Sequence, residues 1–263
     1  NQAVAVARLG APCHLIGRTG DDDFGDRLLM GLSGCGVDTR HVIVTEGVST
    51  GVALIVVDHV GENAICVASG ANFKVMPEDL DEAESVIASA AVCLLQLELP
   101  LETVVHAIGL CRRHGVEVIL DTAPTPEVVP AELFEADILT PNQIEAEALC
   151  GERSDRAREA KAVAAAIVAR GARKVVLKLG ERGAMVYDGD RFELVAGHRV
   201  SPVDTTGAGD AFTGALAVGL SQGKDLIEAA RFANAAGAAA CLKFGAQPSM
   251  PTMTDVLQIL QTR

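Results

Sequence analysis

The chain has 263 residues, 49% of them hydrophobic and 22% charged, which suits one large domain or two small ones with a buried core. This composition excludes disordered, collagen-like and fibrous proteins. The net charge of -13 and the lack of any basic run longer than two residues argue against nucleic-acid and acidic-membrane partners, because both attract clustered Lys and Arg.

Cysteine usage indicates a reducing compartment. The seven cysteines are odd in number, widely spaced and without a CxxC pair. This is typical of reduced thiols in a cytoplasmic protein rather than of disulfides or a zinc site. No apolar run reaches the roughly 20 residues that a membrane helix needs. Asn1 already lies in an apolar helical pattern, so we expect the natural N-terminus to lie upstream.

The first 69 residues predict helices followed by a β-rich region. The predicted elements are helices at 3–9 and 24–32 and strands at 13–17, 42–44, 51–57 and 64–68. The last two strands are expected to pair antiparallel through a turn at 58–63. We therefore expect residues of about 45–69 to form a small β-sheet appended to the main domain.

From Pro77 onward the pattern alternates between helix and strand. The predicted helices are 77–90, 101–114, 144–149 and 155–170, with two or three more after Ala211, and the predicted strands are 92–97, 116–120, 138–139, 174–179 and 184–187. Apolar strands joined by amphipathic helices predict an α/β fold with a mostly parallel central sheet and helices on both faces. We expect one such domain over residues 1–263.

The strongest chemical signal is the segment 204–210, DTTGAGD, which precedes an apolar helix pattern from Ala211. Two glycines before a helix let backbone N–H groups converge, and the helix N-terminus adds positive potential, so an anion hole for a phosphate is expected. Asp210 at its mouth is placed to take a proton from an attacking hydroxyl, or else it only caps the helix. The segment matches neither the P-loop nor the dinucleotide-binding pattern.

Two further carboxylates follow predicted strands. Asn142 and Glu145 open a helix, either as a capping box or with Glu145 supporting the Mg²⁺ of a nucleotide through water and Asn142 near the phosphates. Glu98 closes the strand at 92–97, on the edge where ligands bind in a parallel sheet. It either accepts hydrogen bonds from sugar hydroxyls or is an ordinary surface carboxylate.

The remaining motifs carry weaker signals. The acidic run of Asp21, Asp22 and Asp23 predicts a solvated turn that leads into a helix N-terminus rather than a metal cage. The segments 178–183 and 245–249 are glycine-containing turns. The first can bring backbone close to a nucleotide, and carbonyls of the second can coordinate a hard cation, although an ordinary loop explains each. Neither an HExxH nor a GxSxG motif occurs.

In this order, the motifs resemble the ribokinase-like (PfkB) family of sugar kinases over essentially the whole chain. The segments that carry the resemblance are 1–5, 19–22, 49–53, 70–72, 96–98, 140–145, 204–210 and 245–249. The resemblance implies a ribokinase-like α/β fold in which the small β-sheet is a lid, and it implies a homodimer. It also implies ATP-dependent phosphorylation of a sugar, with D-ribose expected, at the primary hydroxyl to give ribose 5-phosphate and ADP.

The resemblance further implies roles for individual residues. Asp210 resembles the catalytic base, which contacts the sugar together with Asn1 and Glu98, and the implied anion hole consists of Gly207, Ala208 and Gly209. Residues implied around ATP are Asn142, Lys178, Leu179, Gly180, Glu181, Arg182, Gly183, Gly209 and Asn234. Glu145 is implied near Mg²⁺ through water. Residues implied at an activating K⁺ site, several through main-chain oxygens, are Asp204, Thr206, Ala240, Lys243, Gly245 and Ser249.

The sequence departs from the family at its start. In the family, a first strand with a sugar-binding Asp, part of the lid sheet and a GGKG hinge precede the position that matches Asn1. We therefore expect a trimmed sequence of a normal enzyme. Position 178 is Lys where some relatives carry Thr. The alternatives are a sibling kinase for deoxyribose, fructose or a nucleoside, a sugar- or nucleotide-binding protein without catalysis, and a structural fragment.

Overall fold

The computed structural model describes residues 1–57, 63–150 and 160–261. Their helices are α1 (Gln2–Arg8), α2 (Asp23–Gly34), α3 (Pro77–Glu82), α4 (Glu84–Ser89), α5 (Leu101–His114), α6 (Gln143–Cys150), α7 (Ala160–Ala169), α8 (Ala208–Ser221), α9 (Leu226–Ala240) and α10 (Met253–Gln261). Their strands are β1 (His14–Gly20), β2 (Asp38–Thr45), β3 (Val52–Val57), β4 (Asn63–Ala68), β5 (Val92–Leu95), β6 (Glu117–Leu120), β7 (Ile138–Leu139), β8 (Lys174–Lys178), β9 (Ala184–Tyr187) and β10 (Phe192–Val195).

A six-stranded sheet in the order β10-β9-β8-β7-β6-β5 forms the centre. Strands β5 to β8 run parallel, and β9 and β10 add an antiparallel edge. Successive residues of a strand face opposite sides, so Leu120 packs in the core beneath α5 and α7, whereas Ile119 packs beneath α8 and α9. Because both faces are covered, the central strands read as apolar runs. The predicted α/β class is confirmed.

The β-rich region near the N-terminus consists of two separate small sheets. β1 and β2 pair in parallel, and β3 and β4 form an antiparallel hairpin. The single appended sheet predicted from the sequence is therefore divided, because β2 finds its partner in β1 rather than in the hairpin. The antiparallel pairing of the last two strands is confirmed, and most of the predicted turn, residues 58–62, lies outside the described residues.

The hairpin joins the rest of the molecule through a compact hydrogen-bonded junction. The Asp22 carboxylate accepts hydrogen bonds from the backbone N–H of Thr50 at 2.8 Å and from its hydroxyl at 2.6 Å. The same carboxylate caps α2 by accepting the N–H of Gly25 at 2.9 Å. The Ser49 carbonyl accepts the N–H of Ala71 at 2.9 Å. The acidic run is thus a helix-capping turn, as predicted.

Some element bounds differ from the predicted ones. The helix predicted at 77–90 is divided at Ala83, whose N–H donates to the Leu80 carbonyl at 3.1 Å; the apolar period continues across this break and does not reveal it. β10 was not predicted, since a four-residue edge strand leaves little periodicity. α8 begins at Ala208 instead of 211, and the predicted start of α7 at 155 lies outside the described residues.

Helix α1 lies directly against α8, because Gly214 presents no side chain between them. A Cβ atom at Gly214 would lie 2.8 Å from the Cβ of Ala5 and 3.0 Å from the carbonyl oxygen of Gln2. This close approach brings Asn1 and Gln2 to the first turn of α8. Within the described ranges, no helix has both the length and the apolar character required to cross a membrane.

Candidate active site

Polar side chains meet at the carboxyl edge of the parallel strands, which is the edge where open α/β sheets bind ligands. Gln96 follows β5, Asp121 follows β6, Asn142 lies beyond β7, and Lys178 ends β8. The Lys178 ammonium reaches the two carboxylate oxygens of Asp121 at 2.9 and 3.0 Å. The strand order therefore brings together residues that are far apart in the sequence.

Asp210 lies in the first turn of α8, and its side chain faces α1. One carboxylate oxygen accepts a hydrogen bond from Nδ2 of Asn1 at 2.8 Å, and the other accepts one from Nε2 of Gln2 at 3.2 Å. Gly207, not Asp210, is the N-cap residue of the helix. The Asp210 carboxylate thus bonds to side chains outside its own helix. A role limited to capping α8 does not account for these contacts.

The glycine-rich segment turns sharply into α8. Gly207 has a φ of 76°, in the left-handed region that favours glycine. The Ala208 N–H donates to the Thr205 carbonyl at 3.2 Å, and the helix starts at this residue. The first N–H groups of a helix have no intrahelical partner and carry positive potential. The segment therefore has the geometry of an anion site beside Asp210, and Gly209 lies within it.

Asp121 connects several parts of this site, and sequence reasoning did not single it out. Its side chain is buried and accepts hydrogen bonds from Gln2 at 3.2 Å and from the Thr213 hydroxyl at 2.9 Å, in addition to those from Lys178. An Asp that directly follows a buried strand in a parallel sheet was the available signal, since the same signal points to Glu98. Gln2 and Thr213 carried no comparable signal.

Glu98 lies beyond the end of β5, three residues after Leu95. Neighbouring protein atoms desolvate the Glu98 carboxylate, and the negative charge of Asp210 disfavours a negative charge on Glu98. Both effects raise the pKa of Glu98 above its usual value. Asp121 adds a smaller effect in the same direction. The two carboxylates therefore interact electrostatically, and Glu98 stays a candidate contact for the sugar.

Asn142 and Glu145 form the capping box at the start of α6. The Glu145 N–H donates to Oδ1 of Asn142 at 2.9 Å, and the Asn142 N–H donates to Oε2 of Glu145 at 2.9 Å. The other Glu145 oxygen accepts from Nδ2 of Asn142 at 2.5 Å, and Thr122 donates to the first at 3.2 Å. Both oxygens already accept hydrogen bonds, which fits support of Mg²⁺ through water better than direct coordination.

The segment after β8 is a closed turn. Its middle, Gly180–Arg182, is a 3-10 turn, and the Leu179 N–H donates to the Gly183 carbonyl at 2.8 Å. Gly183 has a φ of 96°, and a Cβ there would lie 2.1 Å from the carbonyl oxygen of Val195. Leu179 is buried, whereas Gly180, Glu181 and Arg182 are exposed. Backbone is thus available on the outer side of the turn.

Asn234 lies on α9 beside this turn and is buried. Its Nδ2 donates to the carbonyls of Val195 and Ala196, both at 3.2 Å. These bonds fix the loop after β10 and engage the amide nitrogen. Any contact of Asn234 with a nucleotide would therefore use its carbonyl oxygen.

Four of the six residues expected at a cation site are Asp204, Thr206 and Gly245, which are hydrogen-bonded through the Asp204 carboxylate, and Ser249, which lies in the same loop as Gly245. The Asp204 carboxylate accepts the N–H of Gly245 at 2.8 Å, and the N–H and hydroxyl of Thr206 at 2.9 and 2.7 Å. These bonds hold the pKa of Asp204 below its usual range. The Ser249 hydroxyl donates to the Ala246 carbonyl at 2.7 Å. The Asp204 carboxylate, the two hydroxyls and the Ala246 carbonyl are oxygen donors, the kind of ligand that a hard cation takes.

The other two expected residues of the cation site lie at the end of α9. The Lys243 N–H donates to the Ala240 carbonyl at 3.2 Å. The Lys243 ammonium lies 3.1 Å from the Asp255 carboxylate, so its charge is directed away from Asp204 and toward α10. Only the main-chain oxygens of Ala240 and Lys243 therefore suit a cation.

Comparisons with known proteins agree with this geometry. Residues 1–253 match the model of the pfkB family carbohydrate kinases. Ribokinase from Bacillus subtilis is 38% identical over 260 residues, which cover 99% of this chain and 85% of that protein. Deoxyribokinase from Salmonella typhi is 36% identical over 261 residues, with the same coverage of 99% and 85%.

A solved structure shows the same fold. The structure of Arabidopsis thaliana ribokinase complexed with ribose and ATP has a TM-score of 0.90 and 33% sequence identity, and the match covers 100% of this chain and 86% of that one. A family model that spans nearly the whole chain, relatives above one third identity and a common fold lead to one conclusion. The chain belongs to the pfkB family of carbohydrate kinases.

Proposed function

We propose that this kinase transfers the γ-phosphoryl group of ATP to the primary hydroxyl of D-ribose, giving ribose 5-phosphate and ADP. The observation that carries the proposal is the placement of Asp210 in the first turn of α8, at the anion site, with its carboxylate bonded to Asn1 and Gln2. The ribokinase from Bacillus subtilis and the Arabidopsis ribokinase with bound ribose and ATP support ribose as the substrate.

In the proposed reaction, Asp210 accepts the proton of the sugar hydroxyl as its oxygen attacks the γ-phosphorus. A new P–O bond forms to the sugar, and the bond between the γ-phosphorus and the β–γ bridging oxygen breaks. ADP leaves with the bonding electrons. The anion site of Gly207, Ala208 and Gly209 stabilises the negative charge on the transferred group, with the N–H groups of Gly207 and Gly209 as donors while the Ala208 N–H is held by the Thr205 carbonyl. Glu98 and Asn1 orient the sugar by accepting and donating hydrogen bonds.

The nucleotide is proposed to lie across the ends of β7 and β8. The residues proposed to contact ATP are Asn142, Lys178, Leu179, Gly180, Glu181, Arg182, Gly183, Gly209 and Asn234. Mg²⁺ that accompanies ATP would neutralise phosphate charge, and Glu145 would hold it through water. A K⁺ ion is proposed in the oxygen-rich loop around Asp204, with Thr206, Ala240, Lys243, Gly245 and Ser249.

The β3–β4 hairpin is proposed to be part of a lid over the sugar. It projects from the junction at Asp22 and Thr50, and Leu54 and Val67 on it are exposed. Exposed apolar residues on such a hairpin support a homodimer that pairs through it. A cytoplasmic location is proposed from the reduced-thiol pattern of the cysteines.

The first test is ADP release by the chain with Mg-ATP and a panel of pentoses, hexoses and nucleosides, each with K⁺ or Na⁺. Turnover with ribose that K⁺ stimulates is the expected result. Preference for deoxyribose would favour the sibling-kinase alternative, which the relationship to a deoxyribokinase supports. Sugar or nucleotide binding without any ADP release would overturn the kinase proposal in favour of a binding protein.

A substitution then tests the base. Asp210→Asn keeps the volume of the side chain but removes its ability to accept a proton, so kcat should fall by about 10²–10⁴-fold. The affinity for Mg-ADP, measured by titration calorimetry, should change less than about threefold. Asp190→Asn, in the exposed turn before β10, is the matched control and should retain full turnover. Full turnover by Asp210→Asn would contradict the assignment of the base.

A further inference from the structure

We propose that Asp121 is a positioning residue that aligns the base Asp210, through Gln2, and the ammonium of Lys178 on two sides of the path of the phosphoryl group. This inference rests on the proposed function. It goes beyond that function by adding a buried carboxylate that contacts neither the sugar nor the nucleotide in the proposed reaction.

Asp121 is held more firmly than either residue it positions. Asp121 is 3% exposed and lies directly after β6, the strand between β5 and β7. It accepts hydrogen bonds from three elements: from Gln2 on α1, from Lys178 on β8 and from Thr213 on α8. A carboxylate that accepts hydrogen bonds from this many donors is fixed in direction.

Gln2 transmits the position of Asp121 to the base. Its Nε2 atom donates to Oδ2 of Asp121 and to Oδ1 of Asp210, both at 3.2 Å. Its carbonyl oxygen accepts a hydrogen bond from Nε2 of Gln96 at 2.5 Å, which settles the orientation of the amide. The buried amide therefore bridges two carboxylates, and the direction of the Asp210 carboxylate follows from that of Asp121.

Lys178 is the second group that Asp121 positions. Its ammonium makes two bonds to Asp121 and its side chain is only 14% exposed. A Cβ atom at Gly209 would lie 3.8 Å from the Lys178 Nζ atom. The positive charge thus lies beside the anion site at the start of α8, where a transferred phosphoryl group would carry its negative charge.

A purely structural ion pair is the competing explanation. Burying such a pair generally adds little to stability compared with apolar residues of similar volume, although removing one partner is strongly destabilising. The two explanations therefore differ in what the double substitution does. Asp121→Asn leaves the Lys178 charge unpaired, whereas Asp121→Asn combined with Lys178→Met removes both charges.

The experiment compares these variants in the full chain by thermal unfolding and steady-state kinetics. Asp121→Asn should lower kcat by about 10–100-fold, with the KM for ribose within threefold of the wild-type value. The double variant should regain most of the lost Tm but not the lost kcat. Recovery of kcat along with Tm, or an Asp121→Asn enzyme with more than half the wild-type kcat, would overturn the proposal.

The matched control is Asp79→Asn. Asp79 is 7% exposed and pairs with Arg18 through bonds of 2.6 and 2.7 Å; Arg18 lies on β1, which is not part of the central sheet. Asp79→Asn should lower Tm by an amount similar to Asp121→Asn but leave kcat within twofold at a temperature where both variants are folded. An equal loss of kcat in both variants would show that destabilisation alone explains the effect.

A binding measurement keeps the test independent of turnover. Affinities for Mg-ADP and for the non-hydrolysable analogue Mg-AMP-PNP should be measured by calorimetry for each variant. Asp121→Asn and Lys178→Met should each weaken AMP-PNP at least tenfold more than ADP, because only AMP-PNP has a γ-phosphoryl group. Equal weakening of the two nucleotides would overturn the role of Lys178, whereas absence of ADP release by the wild type would overturn only the proposed function.

Discussion

The raised pKa of Glu98 links the charge of the candidate site to a measurable property, the pH dependence of stability. Its pKa is raised by desolvation and by the nearby Asp210 carboxylate, so folding disfavours its ionised form. The unfolded chain has no such penalty. Glu98 therefore reduces stability at neutral pH, which is typical of residues retained for binding rather than for folding.

We expect Glu98→Gln to raise Tm at pH 7–8. The penalty is fully present above the raised pKa of Glu98 and vanishes below the usual value of about 4.3, because both states then hold the proton. The gain should stay below about 1 kcal/mol, since Glu98 is only partly shielded from solvent. Thermal unfolding from pH 4 to 8 measures it. Glu46→Gln, which changes the net charge equally, is the control; the same pH dependence in both variants would contradict this account.

At this scale, the sequence predicted residues that follow strands or glycine turns, and it missed those defined by long-range contacts. Asp210, Glu98 and Asn142 stand beside recognisable local patterns. Gln2 lies 119 positions before Asp121, and nothing near Gln2 in the sequence marks it as a bridge between carboxylates. Such a role arises only when α1 packs on α8, which is a tertiary event.

At the level of elements, the turn into α8 determines where the anion site lies. Gly207 adopts a φ of 76°, and a Cβ there would lie 2.7 Å from Cε of Met250 and 3.4 Å from Cα of Ala246. The Met250 side chain can move, but the backbone conformation would remain strained for alanine. The start of the helix therefore depends on this glycine.

We expect Gly207→Ala to lower the free energy of unfolding by about 1–3 kcal/mol, measured by urea denaturation. Gly209→Ala is the control for stability, because its Cβ would meet nothing closer than the Lys178 Nζ atom at 3.8 Å. Alanine also favours a helix over glycine by about 0.5–1 kcal/mol. Gly209→Ala should be neutral or stabilising, and an equal loss in both variants would refute the argument from Gly207 geometry.

Element types were more predictable than element partners. Helix α5 and strands β7 and β9 coincide with their predicted bounds, because apolar period and glycine or proline breaks act locally. The pairing of β2 with β1 was not predicted, because the local pattern of a short apolar strand does not show which other strand it pairs with.

At the level of the whole molecule, the difference between the two-stranded β3–β4 hairpin and the six-stranded central sheet predicts which backbone hydrogen bonds open most often. The β3–β4 hairpin has two strands, with Leu54 and Val67 exposed, whereas β6 and β8 lie between helical layers. A two-stranded hairpin is marginally stable by itself. Its backbone should therefore open more often than the central sheet.

Hydrogen exchange tests this difference. Amides of 52–57 and 63–68 should exchange at least tenfold faster than those of β6 and β8 in the free protein. Ribose with Mg-AMP-PNP should slow the hairpin amides, as expected for a lid that closes over the sugar. The amides of β6 and β8 are the internal control. Hairpin exchange that ribose and nucleotide leave unchanged would contradict the lid proposal.

Because Asn1 and Gln2, at the start of α1, bond to Asp210 on α8, the distance between these two helices sets the positions of the groups around the base. Gly214 lies one helical turn after Asp210, and an added methyl group there would come 2.8 Å from Ala5. Relief of that overlap requires α1 to shift, and the amides of Asn1 and Gln2 would shift with it, away from the base. The volume of the residue at position 214 can therefore change the reactivity of Asp210 without any direct contact with the substrates.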